Sequence, residues 1–417
     1  MVLLIKIFKR RENKMKVFLK ILFLSAIALF AETKEKNKRT DPIKFKKFEI
    51  KKLPPYLKPV YDPIHKIVIT RITDYKTFEN SYPKHAYSKN QPFNCDSSLI
   101  KLQTKWLLDG RSYAIVKKFP KEFHFTTSIW SHKDPFTVFI FKNNGEIIKY
   151  NVKTGEKSLI IRIKGFDRVA LGPGEGNISL NDEFAALACK KGKDLWILTI
   201  DLKKRKIVKK RVFENKWGNS YEPKYFDWVS ISPSGKYIIV LWNKKENNKF
   251  VSSEVSLYDK NISFKRNLYD YGNHGDICFD GKGNEMYVQF AGKGSLNAYY
   301  LENNESLILY ENPELEIGSS RHVSCRNYKN RGWCFVSTEK EGLIIQIKLD
   351  GSRKIRYLTS HNGTQETYDK SAMAVSDPFG EKVLFTSDFG DKREKVKYEF
   401  VAEKLNSSRR RPTFPRQ

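Results

Sequence analysis

The side chains best suited to chemistry in this 417-residue chain are its seven histidines, at positions 65, 85, 124, 132, 274, 322 and 361. His274, His322 and His361 recur at intervals close to one another. His322 and Cys325 form an HxxC spacing, and Cys278 lies four residues after His274. Imidazole and thiolate ligands in a tetrahedral set suit a structural Zn²⁺. The alternative is three separate histidines, each hydrogen-bonded within its own turn. A second cluster, His85-Ala86-Tyr87-Ser88-Lys89-Asn90-Gln91 running on to Asn94-Cys95-Asp96, crowds hydrogen-bonding groups into one segment. His85, Tyr87 and His132 are candidates for general acid–base work, and Lys89 and Arg321 for neutralising a substrate carboxylate. Asn94 and Asp96 read instead as an Asx-type turn. Gly172-Pro173-Gly174-Glu175-Gly176 lacks a following Lys-Ser/Thr and is a loop, not a phosphate cradle; GxSxG and HExxH are absent.

These residues must be positioned by repeated strands. Seven times a small polar turn built on Asp, Pro, Asn or Gly runs straight into a β-rich stretch, near residues 94, 131, 179, 232, 280, 326 and 376. Ser232-Pro233-Ser234-Gly235-Lys236-Tyr237 is typical. A spacing near ~40–50 residues is that of a four-stranded propeller blade. One blade cannot bury its own faces, so several must close around a channel. The expected fold is all-β, a seven-bladed β-propeller over 65–403; a large β-sandwich is the alternative. The strand 66–73 stands alone before the repeats and is expected to complete the last blade, beside 382–387 or 395–401, so that no edge is left open. Turns opening successive blades converge on the channel, so distant histidines can meet there.

Aromatics make up 13% of the chain, with 28 Phe and 21 Tyr to fill layers between blades. Five cysteines without a CxxC pair exclude a disulfide scaffold. The net charge of +30 would attract polyanions, although its lysines are spread widely enough for plain compositional drift. No helix-turn-helix or zinc finger appears, so specific nucleic-acid reading is not expected. Lys14, Lys16 and Lys20 precede an apolar run, 21–31, that is too short for a membrane span and reads as a secretory signal peptide. Met15 makes a more ordinary start than Met1. Residues 32–64 read as a Lys-rich linker and 404–417 as a basic, disordered tail. The expected location is therefore outside the cytoplasm: periplasm, cell surface or medium.

His274-Gly275-Asp276, Arg321-His322-Val323-Ser324-Cys325 with Gly332-Trp333, and 374–388 together resemble a group of exported bacterial seven-bladed propellers. That group includes TolB-like domains and the propeller polysaccharide lyases acting on oligogalacturonate and ulvan. The resemblance implies the fold and an acidic-glycan ligand at the channel mouth. It also implies an alternative in which the protein is an active lyase: His85 or Tyr87 removes the proton α to a uronate carboxylate, and His132, Lys89 or Arg321 neutralises that carboxylate. Some members carry a structural metal, which implies one at His274, His322, Cys325 and His361. A non-catalytic interaction scaffold is the third reading, since one fold hosts many functions.

Overall fold

The computed structural model describes residues 48, 50 and 52–404, apart from 125, 219–223, 248, 270–272, 292–294, 312–321, 339–340 and 365. The stretch read as a signal peptide, most of that read as a linker and the tail after residue 404 lie outside the described residues, as does Arg321. Among the described residues the chain forms seven antiparallel sheets, the blades of a seven-bladed β-propeller. Blade 1 has three strands (Leu99–Leu102, Trp106–Asp109, Ile115–Lys118). Blades 2 to 6 have four each and open with the strands Thr127–Trp130, Arg168–Ala170, Lys224–Ile231, Asn273–Phe279 and His322–Ser324.

Blade 7 is assembled from both ends of the chain. Val375–Ser376, Lys382–Ser387 and Tyr398–Lys404 come from the C-terminal end, and Ile67–Arg71 pairs antiparallel with the last of these, Ile69 opposite Ala402. This is the closure expected from the isolated strand. One difference lies inside the stretch read as linker: Pro59–Asp62 is a fifth strand of blade 7, paired with Ile67–Thr70. Four residues opened by proline carry no readable period. Their turn is fixed instead by Asp62, whose carboxylate accepts the Ile64 and His65 amides and contacts His65 Nδ1 at 2.7 Å. Proline is tolerated there because the strand is at the sheet edge.

The hydrophobic residues explain why the ring closes. They fall into seven clusters, each bridging one pair of neighbouring blades, including the pair 7 and 1 through Ile100, Leu108, Leu384 and Val401. No blade owns a core, so each is stable only between two others.

The axis of the ring is not empty. Residues 84–91, the polar segment before blade 1, are buried except for Ala86. Asn177 donates to the Lys89 carbonyl and Trp130 Nε1 to that of Pro92, while Gln91 donates to the carbonyls of Arg326 and Ser376. These bonds partner part of the buried polar segment, while Ser88 Oγ and the Asn90 side-chain amide have no partner among the described residues.

A candidate acid–base site at the channel mouth

Three features bring the site together. The first is the axial segment, which delivers Tyr87 and Lys89. The second is a bulge at the start of blade 5, where the pairing shifts between Asn273 and Gly275 and His274 takes a left-handed backbone (φ +47°). Gly275 is obligatory there, since a Cβ would lie 2.2 Å from the Tyr287 ring. The third is an excursion in the opening strand of blade 3, which leaves the sheet after Ala170 and rejoins it at the Ile178–Ala185 bridge. The Gly172–Gly176 loop read from the sequence is this excursion, and it carries Glu175 to Lys89.

A Cβ on Gly172 would sit 2.1 Å from the Val229 carbonyl, at φ +53°. Gly172→Ala should therefore destabilise the protein by about 2 kcal/mol or more, read by urea denaturation, and detach Glu175 from Lys89.

At the end of the channel where the opening strands begin, four side chains form an unbroken hydrogen-bonded chain. His322 Nε2 lies 3.2 Å from Tyr368 Oη, Tyr368 Oη donates to Tyr87 Oη at 3.1 Å, and Tyr87 Oη lies 2.9 Å from His274 Nδ1. The two imidazole centroids are 4.9 Å apart. His322 is 1% exposed while Tyr368, its neighbour in the chain, is 53% exposed, so the chain meets water at Tyr368, one step from its buried His322 end. Burial first, with His322 and Lys89 acting on His274 and with Lys84, Lys89 and His85 acting on His322, depresses both histidines to about 3, leaving them neutral at pH 7. Burial raises the Tyr87 hydroxyl well above its ordinary value, so it too stays protonated.

Such a chain works in either direction. In one, His322 Nε2–H donates to Tyr368, Tyr368 to Tyr87, and Tyr87 to His274 Nδ1. Reversed, each hydrogen bond survives with its roles exchanged, and His274 Nε2 becomes a proton acceptor. Among the described residues that nitrogen has no partner.

The charges beside the chain are nearly balanced. Lys89 Nζ donates to Glu175 Oε2 at 2.6 Å and lies 4.0 Å from the Trp228 ring centre and 5.5 Å from that of Tyr87. Asp227 is exposed to water yet has protein packed around its carboxyl, and that desolvation first and Glu175 second push it up to about 6.

Other expected site residues lie elsewhere. His85 is fully buried, Nδ1 at 2.7 Å from Glu399 Oε2 and Nε2 at 2.8 Å from the Met373 carbonyl. Both ring nitrogens are committed to tying the axial segment to blade 7, so His85 has no free atom for a substrate proton. His132 follows the opening strand of blade 2, at the opposite end of the channel, with Nδ1 3.1 Å from Asp182 and its ring against Tyr328. It does not share a mouth with Tyr87, contrary to expectation. His361 caps blade 6, contacting the Thr338 carbonyl through Nε2 and accepting from the Gly363 amide at Nδ1.

The expected metal set does not converge either. His274 and His322 meet in the channel, while Cys325 turns into the core between blades 5 and 6 with Cys278 and Cys334. A β-strand alternates its faces, so HxxC residues point to opposite sides of the sheet. Among the described residues no group of three or more His, Cys, Asp or Glu side chains could hold a metal ion. Two imidazoles alone do not fit Zn²⁺, or a harder ion that wants several oxygen ligands.

Sequence reasoning missed Asp227 and Tyr368, read Glu175 only as part of a loop, and weighed Trp228 as a sugar-stacking ring but preferred a core role. Only Asp227 left a signal, a charge breaking the apolar run Tyr225-Phe226-Asp227-Trp228-Val229.

The fold defines the class: a seven-bladed β-propeller whose axis is filled by its own N-terminal segment. Searches found no matching protein-family profile and no matching curated protein. Among solved structures the chain is similar to an oligogalacturonate lyase in complex with manganese, at 13% identity and TM-score 0.59 over 84% of this chain and 96% of that one. It is also similar to an oligogalacturonate lyase from Vibrio parahaemolyticus, at 14% identity and TM-score 0.53 over 83% and 96%. At these identities the likeness is one of fold. No helix among the described residues is long and apolar enough to cross a membrane.

Proposed function

We propose that the protein is an exported propeller that binds a uronate-containing polysaccharide at this mouth and cleaves it by β-elimination. The observation that carries the reading is the hydrogen-bonded chain His322–Tyr368–Tyr87–His274, with both imidazoles neutral and Tyr368 reaching water. The solved lyases of the same fold give it a substrate class.

The chemistry needs a proton taken from C5 of a uronate and one delivered to the departing O4. His274 Nε2 takes the C5 proton while His274 Nδ1–H passes its proton to Tyr87. Tyr87 passes its own to Tyr368, and the Tyr368 hydroxyl protonates O4 as the C4–O bond breaks and the C4–C5 double bond forms. Protons balance and the site ends uncharged, with His274 left in its other tautomer and His322 unchanged. Lys89, although buried and paired with Glu175, is the cation assigned to offset negative charge gathering on the uronate carboxylate. In this reading Tyr87 relays protons rather than acting as the base itself.

Glu175 and Asp227 oppose an anionic ligand. Protonating Asp227 removes one of them, so affinity should rise as pH falls from about 7 to 5, while His274 and His322 stay neutral. Calorimetric titration of an oligogalacturonate at the two pH values reads this. Asp227→Asn should bind equally well at both.

Incubation with a panel of acidic glycans, followed by the absorbance of unsaturated uronates, tests the activity. A rise with at least one glycan is expected. Salt-sensitive binding without any rise would leave a glycan-binding protein, and neither would favour the interaction scaffold.

A further inference from the structure

The excess of cations that leaves the chain at +30 is not spread evenly over the blades. The outermost strand of blade 3, Lys206–Phe213, carries four of them, Lys206, Lys209, Lys210 and Arg211. The outermost strand of every other blade carries at most two. Guarding a sheet edge against pairing does not call for four, since the other edges stand with fewer. The run extends back into the preceding hairpin, where Asp201 accepts the Lys204 amide at 2.6 Å and Arg205 takes a left-handed backbone (φ +57°). Lys203, Lys204 and Arg205 are all exposed there. This hairpin forms one wall of a groove of about 460 Å³ between blades 2 and 3, on the face of the ring opposite the Tyr87 mouth. Lys133 and Lys149 line it from blade 2, Lys203 and Arg205 from blade 3. All four are exposed and none is ion-paired among the described residues. The carboxylates of the groove are held by neutral partners instead. Asp182 accepts from Ser131 Oγ at 2.5 Å and the His132 amide at 2.9 Å, Asp134 from Thr137 Oγ1 at 2.6 Å, and Glu183 from Asn181 Nδ2 at 2.8 Å. Phe139, Ile160 and Leu202, all buried, give the groove an apolar floor.

We propose that this groove is a second binding site, separate from the Tyr87 mouth, for an oligosaccharide bearing carboxylate or sulfate groups. Its unpaired cations attract the anionic groups, and the basic edge of blade 3 steers a polyanion toward them. An ionised carboxylate offers about four acceptor positions, so Asp134, Asp182 and Glu183 keep some free for sugar hydroxyls. A polyanion without hydroxyls would meet those carboxylates as repulsion alone. The apolar floor suits the C–H face of a sugar ring. The room available falls within the ~300–1,000 Å³ of ordinary ligand sites, which a flat lysine-rich surface does not offer. None of this depends on the chemistry at Tyr87, and the groove binds its ligand whether or not the mouth cleaves one.

Hydrogen–deuterium exchange of the native protein, read by mass spectrometry at rising ligand concentration, tests this with four probes. They are an oligogalacturonate, a dextran sulfate oligosaccharide, unmodified dextran and polyglutamate. Slower exchange in segments 131–137, 149–158, 181–183 and 202–206 is expected with one or both acidic saccharides, which tells carboxylated from sulfated ligands. Dextran and polyglutamate should leave these segments unprotected. Lys149→Glu combined with Lys203→Glu, one cation from each wall, should raise the half-protecting concentration on the order of tenfold. Raising salt from about 50 mM to about 300 mM should weaken wild-type binding in the same direction. Both lysines are exposed, and an unchanged Tm in the variant excludes a folding defect. Any cleavage of oligogalacturonate should be unchanged in the variant, since neither lysine lies at the mouth. Exchange locates binding along the chain, so protection of the groove without cleavage separates this site from the Tyr87 reading. Groove segments unprotected by either acidic saccharide, or protected equally by dextran or polyglutamate, would overturn the proposal. So would protection by phosphatidylglycerol vesicles alone, which would mark a membrane-facing surface, or unchanged affinity in the double variant.

Discussion

Tyr87→Phe should lower kcat on a uronate glycan by roughly 10²–10³-fold while leaving the binding constant within a factor of about three. The substitution removes only the oxygen that joins Tyr368 to His274. Tyr87 is 7% exposed, its ring lies edge-on to His322 at 5.4 Å, and phenylalanine keeps that packing. What is lost is continuity: a proton taken by His274 can no longer be exchanged for one delivered by Tyr368. Steady-state kinetics beside calorimetric binding separates this from a folding defect, which would weaken both. Tyr368→Phe should act similarly on kcat, because it removes the proton donor that faces water. His85→Gln should instead act on stability, since His85 joins Glu399 to Met373 and touches no part of the chain.

The second large effect is on acid stability. His274 and His322 are depressed to about 3 in the folded protein, against 6.5 in the unfolded chain. A depressed histidine is neutral in the fold while the unfolded chain takes up its proton. Its contribution is therefore fully present above pH 6.5 and is lost as pH falls toward 3. Between pH 6 and pH 4 each should remove on the order of 2 kcal/mol of unfolding free energy. Carboxylates contribute over the same range, so the informative quantity is a difference. His322→Asn and His274→Asn should each flatten the curve of stability against pH by close to one proton, read by urea denaturation at several pH values. Parallel curves for wild type and both variants would mean the histidines titrate normally and the site is wetter than described.

How much of this could be read in the sequence follows from what each feature depends on. The ring was legible because its blades are local: each turn and the strands it joins lie within a few tens of residues, and seven repetitions identify the architecture. The closing strand was legible too, since an unpaired β-stretch before the first blade needs a partner in the last. The Pro59–Asp62 strand was not, because its pairing depends on an Asp62-capped turn rather than on any apolar period.

The site was legible in part. The sequence singles out Tyr87, Lys89, His274 and His322, and the fold brings them to one mouth because opening strands converge. It could not show that residues 84–91 run along the axis, since a polar segment reads as a surface loop until the channel that satisfies it is known. That single fact separates His85 from Tyr87. His85 faces blade 7 and is consumed by Glu399 and Met373, whereas Tyr87 faces His274. The HxxC spacing misled because strand alternation sends Cys325 into the interface between blades. Glu175 and Tyr368 come from a loop and a single helical turn whose approach to the axis depends on the whole ring.

The most direct test of the central claim is the mass balance of cleavage. The purified protein is incubated with an oligogalacturonate of defined length and the fragments are weighed. Elimination requires fragment pairs that sum to the mass of the parent, with unsaturation on one member and loss of the reaction in Tyr87→Phe. Pairs heavier by one water, or an intact substrate that is nonetheless bound, would contradict it.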